Sequence, residues 1–99
     1  MELECGRITR FVLPAVRAAI AERMSVRRHR QSEIAGKLGI VQVAVSKYLN
    51  GRYSDEVGRI KRYIESKGLE KGIVERIERG ESKETINAEI DQLCTALTR

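Results

Sequence analysis

Gln31-Ser32-Glu33-Ile34-Ala35-Gly36-Lys37-Leu38-Gly39-Ile40-Val41-Gln42-Val43-Ala44-Val45-Ser46-Lys47-Tyr48-Leu49-Asn50-Gly51 is the stretch that decides the fold. Ile34 and Leu38, four apart, form one face of a short helix over about residues 31–38. Gly39 stops it, because glycine just past a helix end takes a positive φ without strain. A second helix is predicted over about 42–50, stopped by Gly51. Ala35 falls where the two helices cross, and a larger side chain there would push them apart. Ile40, Val45 and Leu49 or Tyr48 hold the second helix against the same core, which leaves its other face outward.

Upstream, Pro14 suits the first turn of a helix, where its missing N–H would be unpaired anyway. Val12, Val16, Ile20 and Met24 follow at a spacing of four, and Ala15, Ala18, Ala19 and Ala21 are strong helix formers. Ser25 to Arg30 reads as a polar, basic break. Downstream, Ser54 is expected to cap a helix with Asp55 and Glu56 in its first turn and Val57, Ile60 and Ile64 on its buried face. Gly68 ends it. Leu69, Ile73 and Ile77 line the next, which stops at Gly80. Ser82 caps the last, where Ile86, Ile90, Leu93 and Leu97 recur at spacings of four, three and four, a short heptad-like seam. No segment alternates with period two. The expected fold is all-α, a small helical bundle forming one compact domain: residues 1–53 carry the helix pair, and residues 54–99 complete the core and dimerise.

The 99 residues allow one modest core, and an aromatic content of 4% makes it aliphatic. Residues 1–53 hold ten Lys/Arg and four Asp/Glu, a charge of +6, whereas residues 54–99 hold nine and ten, a charge of −1. The basic charge sits with the helix pair, and such asymmetry points to a polyanion partner. No apolar run approaches the roughly 20 residues that cross a bilayer. The acidic start, Met1 to Cys5, has no apolar core of a secretory signal. A cytoplasmic protein with no membrane partner is expected, its two cysteines, Cys5 and Cys94, reduced.

Residues 31–51 resemble the helix-turn-helix of the lambda-repressor and Cro (XRE-type) class, with Gln31, Ala35, Gly39, Val45, Ser46 and Asn50-Gly51 in register. The longer run from Leu13-Pro14-Ala15-Val16-Arg17-Ala18 to Gly51 resembles a group of archaeal transcriptional regulators. In that group the same module also occurs fused to a thiamine-phosphate synthase domain. The resemblance implies a lambda-repressor-like helix-turn-helix with a C-terminal helical extension, and sequence-specific binding of double-stranded DNA as a homodimer. One position departs from the pattern. Val41 stands where such motifs place Ser or Thr as the N-cap of the reading helix, and loss of that cap typically costs ~1 kcal/mol. The helix start is therefore open to a shift.

Helical geometry then nominates contacts. Gln42, Val43, Ser46 and Lys47 lie opposite Val45 and Leu49 near the helix start. Gln42 suits an adenine edge, Val43 a thymine methyl, and Lys47 a guanine or a phosphate. Gln31, Arg27, Arg28, Arg30, Lys37 and Arg52 flank the motif and are candidates for phosphate. His29, the only histidine, has no evident carboxylate partner in the sequence and reads as a surface or phosphate-contacting residue. No nucleophile–His–acid set, phosphate loop, dinucleotide fingerprint or metal-ligand spacing occurs, so no catalytic residue, metal or cofactor is expected. Cys94, one turn after Ile90, is expected as a buried thiol, with pairing to Cys5 as a minor alternative. Two other functions stay open: a protein-interaction module, adaptor or antitoxin-like, working through residues 54–99, and non-specific coating of nucleic acid by the basic face.

Overall fold

Alanine makes the first helix the centre of the molecule. In the computed structural model, which describes residues 8–98, α1 (Leu13–Val26) buries Ala15, Val16, Ala18, Ala19, Ile20, Ala21 and Met24 completely. Short side chains let neighbouring helices approach closely. The elements around it are α2 (Gln31–Leu38), α3 (Gln42–Leu49), α4 (Asp55–Lys67), α5 (Lys71–Glu78) and α6 (Lys83–Leu97), preceded by a π-helical turn at Ile8–Val12. Each of them touches α1. Six α-helices and no strand are found among the described residues, the all-α bundle expected. A Cα radius of gyration of 12.5 Å matches the ~13 Å of a compact 100-residue domain.

Local chemistry sets the boundaries. Pro14 enters α1 one residue later than the start itself, Leu13. Lacking an N–H, it cannot bond back to the preceding turn, and the chain widens there into the π turn, a feature the sequence reading lacked. The Ser54 and Ser82 hydroxyls accept from the N–H groups of Val57 and Thr85, capping α4 and α6 as expected. Past the ends of α1 to α5, an N–H reaches back five residues: His29 to Met24, Ile40 to Ala35, Arg52 to Lys47, Leu69 to Ile64 and Glu81 to Arg76. This closure needs a left-handed residue. Gly39, Gly51, Gly68 and Gly80 supply it in four cases, with φ of 67°, 69°, 66° and 81°. In the fifth it is Arg28, at φ 75°.

Polar ties run from α1 to its neighbours. Arg23 Nε donates to Glu70 Oε2 at 2.8 Å, and Arg27 Nε to Glu78 Oε2 at 2.6 Å, so both ends of α5 are fastened to α1. Lys61 of α4 is buried between Glu22 of α1 and Glu65 of its own helix. Burial opposes its charge, but the bonds to both carboxylates outweigh that and raise its pKa. The carboxylates are partly exposed, so each pair contributes about 1 kcal/mol or less.

Two expectations need correction. Leu69 does not line α5: it sits in the reversal after Gly68, 37% exposed, and Val74 takes the inner position beside Ile73 and Ile77. The seam on α6 also turns inward. Ile86, Ile90 and Cys94 are buried in the molecule's own core, with Leu93 and Leu97 packed against its edge. A helix lying on a bundle follows a period of 3.6, which selects Cys94 after Ile90 rather than a heptad stripe. Ile86 and Ile90 of the seam that motivated dimerisation through residues 54–99 therefore lie in the monomer's core, and Leu93 and Leu97 remain partly exposed.

Candidate nucleic-acid interface

The pair α2 and α3 is held by the residues whose spacing nominated it. Ile34 and Val45 are fully buried, and Ala35, 6% exposed, and Leu38 are buried in the same core. Ile40, Tyr48 and Leu49 pack against the same core. With these side chains inward, Gln42, Val43 and Lys47 are exposed and Ser46 is half-buried. α3 starts at Gln42 despite the valine before it. Val41 keeps the extended backbone of an N-cap, φ −77° and ψ 151°, with no side-chain cap, and its carbonyl accepts from the N–H groups of Ala44 and Val45. Val41 and Val43 are 70% and 65% exposed, two of the large apolar side chains the fold leaves in water. Ser46 has a neighbour the sequence did not announce: Asn50 Nδ2 donates to its carbonyl at 2.8 Å and to its Oγ at 3.3 Å.

The flanking cations divide into two groups. Arg28, Arg30, Lys37 and Arg52 are exposed, as is Lys47 on α3, and none makes an ion pair with a described residue. Between residues 28 and 52 the only acid is Glu33, so five Lys/Arg against one Glu leave +4. Gln31 opens α2, half-buried. Arg27 belongs elsewhere. Its Nε donates to Glu78, and that hydrogen bond raises its pKa, while half of the side chain stays exposed.

His29 also differs from expectation, because it has carboxylate partners on both sides. Nε2 lies 2.8 Å from Glu78 Oε2 and Nδ1 lies 3.1 Å from Glu33 Oε2. The bond to Glu78 raises the imidazole pKa, against a smaller opposing effect of burial and with help from Glu33. Arg27 and His29 together hold Glu78 down to about 2. Glu33 was within reach of the sequence, four residues on from His29. Glu78, distant along the chain, carries no local signal.

Cys94 is buried, and burial, with Asp91 adding to it, pushes its thiol up to about 11. Any pairing with Cys5 lies outside the described residues. No group of three His, Cys, Asp or Glu side chains among the described residues is placed to hold a metal, and no described helix is long and apolar enough to cross a membrane.

No family model, no characterised protein and no solved structure matches the chain.

Proposed function

We propose that the chain is a transcriptional regulator that binds double-stranded DNA sequence-specifically. In this reading α2 and α3 form a lambda-repressor-like helix-turn-helix, and α3 enters the major groove. The observation that carries it is a set of five exposed cations with no ion pair to a described residue, Arg28, Arg30, Lys37, Lys47 and Arg52, which lie on or directly flank α2 and α3 in the chain with Glu33 as the one acid among them. Elsewhere Arg23, Arg27, Arg76 and Arg79 are paired with acids, while Arg62, Lys67, Lys71 and Lys83, exposed without an ion pair, stand in the half of the chain where acids are as many as cations. Gln42 then meets base edges with Val43 and Ser46, while Gln31 and the five cations hold phosphate. An interaction module working through the later helices would draw on apolar area there, yet the large apolar side chains exposed on that part of the described chain are Tyr63 and Leu69. One reading helix covers few base pairs, so a homodimer on DNA, formed through residues 54–99, remains part of the proposal.

Selection of bound duplexes from a random pool tests the reading, and a two-fold symmetric consensus is expected. On that site, Gln42→Ala should cost ~1–3 kcal/mol at one base position and relax preference there. Equal loss of affinity for every single-base variant would displace α3 from the groove. No enriched sequence at all would favour non-specific coating.

A further inference from the structure

His29 sits between three elements. The turn it belongs to leaves α1, Glu33 lies in the first turn of α2, and Glu78 is the last residue of α5. Both edges of the ring face carboxylate oxygens, at 2.8 Å and 3.1 Å. A neutral imidazole has one N–H and one lone pair, so in this position its lone pair would point at a negative oxygen. Only the imidazolium donates to both sides. The charged groups around it are Glu33 from α2, Glu78 from α5, and Arg27, which shares Glu78 and also feels Glu75. Arg28 and Arg30, the exposed cations on either side of His29, are carried by the same turn.

We propose that protonated His29 is a latch fastening the basic turn and the head of α2 to the tail of α5, and that its deprotonation loosens the turn and weakens DNA binding. The second half rests on the DNA-binding reading; the first does not. The sign follows from the raised folded-state pKa. The latch is complete below the ordinary imidazole value of about 6.5 and is lost as pH rises through the higher folded value. Arg27 still holds Glu78 afterwards, so the turn loosens without leaving α5.

Being the only histidine, His29 gives one unambiguous imidazole titration by NMR. In the DNA-free protein it should titrate above the ordinary value. Across that titration the protection of the His29 and Ile34 amides, bonded to the Met24 and Arg30 carbonyls, should fall several-fold after correction for base-catalysed exchange. Titration at or below the ordinary value, or unchanged protection, overturns the latch whether or not DNA binds. Affinity for the selected duplex, followed over the same pH range, tests the second half. Wild type should weaken several-fold as pH rises, and Glu78→Gln, checked for an intact spectrum, should abolish the step although His29 still titrates. A step that survives in Glu78→Gln, moved to lower pH, would mean that His29 acts only as one more charge near phosphate and would overturn the coupling.

Discussion

Arg28 holds a left-handed backbone that costs a non-glycine residue roughly 1 kcal/mol, at a position the other closures of this kind give to glycine. Its side chain is exposed and has no ion-pair partner among the described residues. The backbone closure from His29 to Met24 depends on that conformation, and a phosphate at the exposed side chain would add to what it gains. Arg28→Gly keeps the backbone closure, and glycine's added freedom in the unfolded chain offsets part of the relief. Stability should therefore stay level or rise by up to ~1 kcal/mol in a urea titration. Affinity should fall for all sequences alike, with the salt dependence flattened by about one unit of slope. Unchanged affinity would take Arg28 out of the interface. Ser25 to Arg30 was readable as a break, but not that an arginine would take the left-handed position. That choice goes with the contacts of Arg27 and His29 to Glu78, which no local pattern encodes.

Within the helix pair, Ala35 is 6% exposed in the core, at the position where the sequence spacing has α2 cross α3. Ala35→Leu would drive a branched side chain into that contact, and overpacking of this kind costs ~1–3 kcal/mol. Melting temperature and DNA affinity should drop together; a variant that melts normally and binds normally would mean the helices do not meet there. Elements of this kind were the most legible part of the chain. Glycine stops, serine caps and apolar spacing are short-range signals, and they placed α2, α3, α4 and α6 closely. The failures came where tertiary packing overrode a local pattern. Leu69 looked periodic with Ile73, but the reversal at Gly68 put it outside α5. The α6 seam looked like a heptad stripe, but Ile86 and Ile90 pack into the core of the same molecule, with Cys94 beside them.

For the molecule as a whole, the inward seam makes Ile90 a core residue, 4% exposed. Ile90→Ala should cost ~2–5 kcal/mol through lost contacts and the cavity left behind. The loss should appear in thermal melts as the same drop at every protein concentration; a drop confined to high concentration would return the seam to an interface. Cys94 reports on the same core. With its thiol buried and raised to about 11, a Cys5→Ser variant should react with a thiol reagent only as fast as the bundle opens. Rapid labelling under native conditions would show α6 detaching on its own. The outward face of α3 was readable from spacing, whereas Lys61 and Glu70, both buried, were not, because their burial depends on partners from α1. The central position of α1 has one further consequence. Neighbours from both halves of the chain cover it, so its amides should exchange with solvent only through global opening, and their slowest common rate would measure the stability of the entire protein. The same dependence forbids a cassette: residues 1–53 cut from the rest would leave a naked alanine-rich helix, and a graft of α2 and α3 must take α4 to α6 along with it.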